Sequence, residues 1–426
     1  MVSGVLFGSF AVLLILTVPI GISLGIATLI TIFYSGTLPI EFLMKELVTS
    51  IDSFPLMAVP FFILAGEIMG KGGISERLFN VANALVGNKT GGFAIATIIT
   101  CMFFAAISGS GPATVAAIGS IMIPAMVRNG YDKKFSTAVV AAAGSLGVII
   151  PPSIPMVIYG VVGSTSIGDL FIGGIIPGLL VAMGLMVYAY FYSKKMGFKG
   201  MDEPTSLKKI WVATWEAKWA LLIPVIILGG IYGGYFTPTE AAVIAVVYGL
   251  IAGMAIYREL SFRMLPKVLT DAALMTATIL IIVGTATAFG RFLTIEQIPL
   301  KVANAMMAVS ESPIIIMMLI TLLLLVVGCF MDTLAAIIIL TPILLPIAVQ
   351  IGYDPMHFGI IMVVNLAIGF ITPPLGVNLF VASGISGLPI ETIAKAIMPF
   401  FFAMLVTLII IIVFPQLSLF LPSLGG

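Results

Sequence analysis

Charged residues are scarce in this sequence. Asp, Glu, Lys and Arg make up 9% of its 426 residues, whereas hydrophobic residues make up 61% and the mean hydropathy is +1.24. A soluble domain has about 25% charged and about 45–50% apolar residues, so the composition excludes a water-soluble globular protein. The formal net charge of +1 gives no indication of nucleic-acid binding. The composition predicts an all-α, multi-pass membrane protein in contact with lipid.

Cysteine and histidine are nearly absent. Cys101 and Cys329 each lie inside an apolar run, and the single histidine, His357, follows a Gly-Tyr-Asp-Pro turn at 352–355. This set offers no disulfide framework, no zinc site and no Ser–His dyad. We therefore expect no enzyme activity and no cofactor, and we interpret His357 as a residue at the start of a helix.

Two pairs of apolar segments follow one another without a polar loop. Only Ser-Gly-Ser-Gly-Pro at 108–112 and Gly-Cys-Phe-Met-Asp-Thr at 328–333 separate their members. We predict two re-entrant helical hairpins, at about 91–127 and about 313–349, that turn inside the bilayer.

Two further apolar segments contain a Pro-Pro pair. The pairs at 151–152 and 373–374 interrupt segments at about 135–163 and about 356–385. Proline removes a backbone donor and clashes with the preceding turn, so both segments are predicted to be broken helices. Backbone freed at membrane depth must be buried in protein or line a cavity.

The sequence also contains an internal repeat. PAMVRNGYD at 124–132 matches PIAVQIGYD at 346–354, and the Pro-Pro pairs are separated by the same 222 residues. The first turn carries Arg128, Lys133 and Lys134, whereas its counterpart carries no Lys or Arg. Because cations concentrate on the cytoplasmic side, the two turns are predicted to face opposite sides of the membrane. Such an inverted-topology repeat with broken helices is typical of secondary transporters.

The longest polar stretch divides the two halves. We predict a first repeat at 1–193, a cytoplasmic linker at 194–218 and a second repeat at 219–426. The linker contains several lysines, among them Lys199, and also Pro204. Trp211, Trp215 and Trp219 are four residues apart, which predicts one shared helical face at the membrane interface or against a partner.

The hairpin tips and the Pro-Pro breaks are the candidate binding sites. Helix N-termini there offer unpaired N–H groups to a carboxylate, and helix C-termini offer carbonyls to Na⁺. The predicted sodium-binding residues are Ser108, Gly109, Ser110, Gly111, Gly147 and Pro151 in the first half, and Gly328, Thr333, Gly369, Thr372 and Pro373 in the second.

Few polar side chains remain to bind a substrate. The candidates are Arg291, Asp332, Ser110, Asn378 and Ser153. Asp332 is interpreted either as a site carboxylate or as the N-cap of a helix starting near Thr333. Arg291 is interpreted either as an interfacial cation or as a fork that grips a carboxylate.

Glu67, Glu240 and Asp271 are expected to have packing or helix-end roles.

These motifs resemble the large membrane subunit of the tripartite ATP-independent periplasmic (TRAP) transporters, almost from end to end. The matching segments are SGSGPATVAAIGSIMIPAM at 108–126, GYDKKFS at 130–136, GVIIPPSIPMVIYG at 147–160 and GFITPPLGVNLFVASGIS at 369–386. The resemblance implies an elevator-type, sodium-driven importer of organic acids in the bacterial inner membrane. It also implies a tip carboxylate at Asp332 and sodium sites at the hairpin tips. These sites would fall on Ser108, Gly109, Ser110, Gly111 and Gly147 in the first half and on Gly328, Gly369 and Thr372 in the second.

The resemblance further implies two protein partners and a substrate class. The partners are a small four-helix membrane subunit and a periplasmic substrate-binding protein. Because no further helices precede Met1, the small subunit is expected to be a separate chain. Arg291 resembles the arginine of sialic acid members, which favours sialic acid over other sugar acids or C4-dicarboxylates. The alternative is a sodium/dicarboxylate symporter of the related ion-transporter superfamily, which needs no binding protein.

Overall fold

A computed structural model describes residues 2–198, 200, 206–310 and 312–424, and these residues form helices and turns without a β-strand. The α-helices are α1 (Val2–Ile15), α2 (Ile20–Ser35), α3 (Glu41–Thr49), α4 (Ala58–Lys71), α5 (Ile74–Val86), α6 (Gly92–Ser108), α7 (Gly111–Arg128), α8 (Lys133–Gly144), α9 (Leu146–Ile149), α10 (Ile154–Val162), α11 (Ile167–Met196), α12 (Leu207–Glu216), α13 (Lys218–Tyr232), α14 (Pro238–Leu250), α15 (Leu265–Ile295), α16 (Ile298–Val309), α17 (Pro313–Phe330), α18 (Thr333–Gln350), α19 (Pro355–Gly369), α20 (Val377–Ser386), α21 (Ile390–Val413) and α22 (Gln416–Ser423). A 3-10 helix, Phe54–Met57, precedes α4, and a π-helix, Ile251–Ile256, continues α14.

The length and composition of these helices match a bilayer. In the described part of the chain, nine helical segments are long and apolar enough to cross a membrane, or ten if the bent pair α12 and α13 forms one span. Many apolar side chains remain exposed on the outer surface, such as Phe33 at 65% and Phe402 at 55%. Exposed apolar side chains at this density require lipid or a protein partner, so the chain is a multi-pass membrane protein.

Short links join the two pairs of helices that the sequence marks as hairpins. Gly109 and Ser110 connect α6 to α7, and Gly109 has a φ of +61° that favours glycine. Met331 and Asp332 connect α17 to α18. Each link is therefore only two residues long.

Both Pro-Pro pairs interrupt helices at the expected positions. After α8, the single turn α9 ends at Ile149, and α10 begins only at Ile154. In the second half, α19 ends at Gly369 and α20 begins at Val377. Asp132 and Asp354 cap the first helix of each pair through side-chain oxygens that accept backbone N–H groups.

The helix boundaries follow the spacing of the sequence repeat. Both ends of α18, Thr333 and Gln350, lie 222 residues after the ends of α7, Gly111 and Arg128. The start of α19 at Pro355 lies 222 residues after the start of α8 at Lys133. Helices α7 and α18 therefore have the same length, and α8 and α19 begin at equivalent positions.

The linker is partly helical. Its residues 207–216 form α12, in which the rings of Trp211 and Trp215 stack 6.1 Å apart. The prediction of one face for three tryptophans is wrong, because Trp219 lies in α13, beyond a bend of 65°. Lys199 and Pro204 lie outside the described residues.

The helix α15 is the longest element and is central to the site. Its 31 residues extend over about 46 Å at the usual helical rise of about 1.5 Å per residue. It packs against α2, α3, α4 and α18. The second arm of the second hairpin, α18, therefore lies against α15.

Candidate functional site

A cavity of about 490 Å³ lies between the two hairpin links and the first half of α15. The first link contributes Gly109 and Ser110, and the second link contributes Asp332 at the start of α18. Thr278 and other residues of α15 form the opposite wall. The N-termini of α7 and α18 thus meet at one cavity, although their starting residues are 222 positions apart.

The first hairpin link is a compact hydroxyl cluster. Ser108 Oγ lies 3.0 Å from Thr114 Oγ1, and the Thr114 hydroxyl donates to the carbonyl of Ser110 at 2.8 Å. Ser110 caps α7, since its side chain accepts the Ala113 N–H at 3.5 Å. Three oxygens from Ser108, Ser110 and Thr114 therefore lie together at the tip.

The first broken helix packs directly behind this link. A Cβ added at Gly147 would lie 2.6 Å from Thr114 Oγ1 and equally close to the carbonyl carbon of Ser110, so only glycine fits there. Pro151, beyond the single turn α9, is buried. The predicted residues Ser108, Ser110 and Gly147 are therefore neighbours in the structure.

Two predicted substrate residues lie behind the cavity wall. Asn378 is fully buried, and its Nδ2 donates to the carbonyl of Ala141 at 3.0 Å and contacts Ser145 Oγ at 3.3 Å. Ser153 is also fully buried and donates to the carbonyl of Val148 at 2.5 Å. Asn378 therefore ties the second half of the chain to the first broken helix, and Ser153 caps α10.

Asp332 caps α18 and also lines the cavity. Its Oδ1 accepts the Leu334 N–H at 2.9 Å, as a helix cap does, and the residue also lines the cavity beside Thr333. A capping carboxylate leaves other lone pairs unused. Asp332 can therefore hold α18 and also accept a hydrogen bond from a molecule in the cavity.

The second half closes by contact between backbones. A Cβ added at Gly369 would lie 2.5 Å from the carbonyl oxygen of Gly328, whereas one added at Gly328 would meet nothing closer than 3.4 Å. The Thr372 hydroxyl donates to the carbonyl of Ile368 at 2.8 Å. Pro373 is exposed, in contrast to its buried counterpart Pro151.

The structure places Arg291 away from the hairpin links. Its guanidinium donates to Glu46 Oε1 at 2.9 Å, and the two side chains are 64% and 4% exposed respectively. Arg291 lines a separate cavity of about 340 Å³ together with Thr287 and Pro342. Asp332 does not line this second cavity, so the two charges proposed for one substrate lie apart in this structure.

A second charge cluster lies at the edge of the 490 Å³ cavity. Lys71 Nζ lies 2.9 Å from Asp271 Oδ2 and 3.1 Å from Glu67 Oε2, and Asp271 also lines the cavity. Glu240 forms a capping box with Thr237 at the start of α14. These contacts agree with the packing and helix-end roles expected for the three acids.

Sequence reasoning missed part of the cavity wall. Thr278 and the apolar residues of α15 have no motif, because a long apolar helix gives no sign of which face meets a cavity. Phe370, directly after Gly369, also lines the cavity. The Pro-Pro break could have indicated Phe370, since residues at such a break face a cavity or other parts of the protein.

Comparison with known proteins assigns the family. The profile of the tripartite ATP-independent periplasmic transporter DctM component matches residues 7–417. The chain is 56% identical, over 98% of its length, to the isethionate TRAP transporter permease DctMQ of Oleidesulfovibrio alaskensis, and it spans 66% of that relative. It is 44% identical to the C4-dicarboxylate large permease DctM of Pseudomonas aeruginosa, covering 95% of this chain and 94% of that one.

A sialic acid large permease, SiaM of Vibrio cholerae, is 38% identical, with 99% of this chain and 98% of that one covered. Among solved structures, the YdaH transporter of Alcanivorax borkumensis has a similar fold, with a TM-score of 0.61, 16% sequence identity and 87% of each chain covered. These relatives are transport permeases, and the family profile covers nearly the whole chain. The chain belongs to the DctM-component family, the large permeases of the TRAP transporters.

Proposed function

We propose that this chain imports a small organic anion across the bacterial inner membrane, coupled to sodium, by an elevator movement. The observation that carries the proposal is the cavity in which the N-termini of α7 and α18 meet against α15. Helix N-termini bear unpaired N–H groups and the positive end of the helix dipole. Two of them at one cavity suit a carboxylate or a sulfonate.

The cavity composition supports a small substrate. Its polar side chains are few, and most of the remaining wall is apolar. They are Ser110, Thr278, Thr333, Asp332 and Asp271, of which Asp271 is paired with Lys71. A hydroxysulfonate such as isethionate needs a site for one anion and one hydroxyl, whereas sialic acid needs acceptors and donors for many hydroxyls. The chain is also 56% identical to the isethionate relative but 38% identical to the sialic acid relative, which favours isethionate over sialic acid.

We therefore place isethionate first among the candidate substrates and C4-dicarboxylates second. The preference for sialic acid rested on Arg291, which pairs with Glu46 in a separate cavity. That preference remains an untested prediction.

Backbone and hydroxyl oxygens support sodium coupling. At the first link, oxygens of Ser108, Ser110 and Thr114 lie within 3.4 Å of one another in bonded pairs. At the second link, the Gly328 carbonyl faces Gly369. Oxygen ligands of this kind suit a small hard cation, and they include no group that titrates near neutral pH.

Two cavities along α15 support an elevator mechanism. The hairpin links meet the first half of α15, close to Arg258, Arg263 and Lys267, which marks that half as cytoplasmic. The Arg291 cavity lies on the second half. The matched helix boundaries support an inverted repeat, and such repeats permit alternating access by rigid-body movement.

We further propose that a small membrane subunit and a periplasmic binding protein complete the transporter. The DctMQ relative is longer than this chain, which spans 66% of it. Whether the small subunit is a separate chain, as the sequence interpretation expects, remains a prediction.

Uptake in proteoliposomes tests this function. Vesicles hold the chain with its small subunit, and the binding protein and labelled isethionate are added outside under an inward sodium gradient. We expect accumulation that stops when potassium replaces sodium and that excess unlabelled isethionate blocks more strongly than succinate or sialic acid. Accumulation driven by a pH gradient alone would contradict sodium coupling. Undiminished uptake without the binding protein would favour the sodium/dicarboxylate symporter alternative.

A further inference from the structure

A second cavity of about 490 Å³ lies between α8, α11 and α21, and it shares no lining residue with the cavity at the hairpin links. Its charged lining groups are Lys134, Lys395 and Asp132. Rings of Phe135, Tyr188 and Tyr192 form an aromatic wall, in which Phe135 and Tyr192 stack 4.2 Å apart. None of these residues belongs to the transport site described above.

The two lysines are available to a ligand. Both side chains are exposed, and within the described residues neither forms an ion pair. The carboxylate in the cavity, Asp132, already accepts the backbone N–H of Lys134 at 3.2 Å as the cap of α8. The lysines outnumber this single carboxylate, so the cavity favours an anion.

The position of the cavity is the cytoplasmic face of the membrane. Lys133 adjoins it at the start of α8, and Lys194 and Lys195 end α11 on the same side. Clusters of lysine at the ends of membrane helices mark the cytoplasmic side. Phosphate headgroups of the inner leaflet lie at this level, and anionic lipids there attract lysine side chains.

An apolar strip continues from Lys395 toward the membrane interior. Pro399, Phe402 and Val406 follow Lys395 at intervals of four, three and four residues, which places them on one face of α21. Phe402 and Val406 are 55% and 56% exposed. A ligand bound at Lys395 would therefore find an apolar surface directly below its charged end.

We propose that this cavity binds the headgroup of an anionic phospholipid, with one acyl chain along the strip of Phe402 and Val406. Lys134 and Lys395 hold the phosphate, and Tyr188 and Tyr192 contact the glycerol region with their amphipathic rings. Tyrosine suits this level of the membrane because one end of its side chain is apolar and the other is polar. The strip favours a lipid over a free phosphate, because a free phosphate would contact the lysines alone.

Lipid titration by native mass spectrometry tests the proposal on the purified full chain in detergent. Phosphatidylglycerol and phosphatidylethanolamine with identical acyl chains are compared, and glycerol 3-phosphate serves as the soluble headgroup. We expect phosphatidylglycerol to bind at least about tenfold more tightly than phosphatidylethanolamine. The Lys134→Gln/Lys395→Gln variant should bind phosphatidylglycerol about 25-fold more weakly, since each lysine near an anionic surface contributes about a factor of five.

The control variant carries the same charge change elsewhere. Lys208→Gln/Lys301→Gln alters two exposed lysines outside the cavity and should bind like the wild type. Lys134→Arg/Lys395→Arg should retain binding, which shows that the charge and not a folding defect decides the result. Equal binding by both glutamine variants, or equal affinity for the two lipids, would overturn the proposal. Displacement of the lipid by equimolar glycerol 3-phosphate would also overturn it, in favour of a soluble anion site.

Discussion

Both halves of the chain contain a helical hairpin and a Pro-Pro break, but the two halves close in different ways. In the first half, the hydroxyls of Ser108 and Thr114 join at the link, and Gly147 packs against them. In the second half, Gly328 and Gly369 meet backbone to backbone, and the Pro-Pro pair is exposed. The first closure is a buried polar network, whereas the second is a single close contact beside the cavity.

The difference indicates a division of roles. The first half provides hydroxyl and carbonyl oxygens, and Asn378 of the second half ties it down through Ala141. The second half provides the carboxyl cap, Asp332, and the more accessible break. The first break is therefore packed tightly, and the second is the more accessible of the two.

Adding a methyl group at the glycine contact should have the largest effect. In Gly369→Ala, the new Cβ meets the Gly328 carbonyl at 2.5 Å, where neither backbone can easily yield. We expect a loss of about 1–3 kcal/mol in stability and loss of sodium-dependent uptake. Gly147→Ala should behave alike in the first half. Thermal unfolding in detergent and proteoliposome uptake measure both.

The neighbouring glycines provide matched controls. Gly328→Ala meets only ordinary contacts, and Gly384→Ala in α20 meets nothing within 4 Å. Both should retain most of the stability of the wild type. Similar losses in all four variants would show that the close contacts do not matter.

The Glu46–Arg291 pair should show the next largest effect. Arg291→Ala leaves the Glu46 carboxylate buried without its cation, which we expect to reduce stability by about 1–3 kcal/mol. The loss is smaller than for a fully buried pair, because the arginine is largely exposed to solvent. Glu46→Gln/Arg291→Ala should recover most of this loss in thermal unfolding. Restored stability with uptake still absent would instead support Arg291 as a substrate ligand.

Replacement of the two link caps should have a smaller effect. Asp332→Ala removes a 2.9 Å cap and should cost about 0.5–2 kcal/mol, whereas Ser110→Ala removes a cap of 3.5 Å and should cost less. Asp332→Asn keeps a capping oxygen, so its stability should remain near that of the wild type. If Asp332 accepts a substrate hydroxyl, uptake by this variant at low substrate should fall about tenfold or more. Unchanged uptake would leave Asp332 as a cap alone.

Asp271→Asn should have the smallest effect. Its ion pair with Lys71 is partly exposed, and solvent screens such surface pairs so that they contribute little to stability. Thermal unfolding should therefore shift little. A larger loss would mean that the Lys71 cluster holds α4 to α15.

Local backbone features explain what the sequence predicts well. Pro-Pro pairs, tip glycines and capping carboxylates act on their own few residues, so the hairpin links and both breaks could be located from the sequence. Contacts between distant segments could not. Glu46 and Arg291 are 245 residues apart, and Asn378 and Ala141 are 237 apart. The bend before Trp219 was missed because no proline or glycine marks it in the sequence.

Cross-linking between the second hairpin link and α15 tests the elevator movement most directly. Leu334 and Thr278 line the same cavity, whereas Thr287 lines the Arg291 cavity, about 14 Å further along the helix. With Cys101 and Cys329 replaced by serine, we predict that a cleavable bifunctional thiol reagent links Leu334→Cys to Thr278→Cys in one variant and to Thr287→Cys in another, and that each link stops uptake until it is cleaved. Cross-linking to position 278 alone, under all sodium and substrate conditions, would contradict the movement.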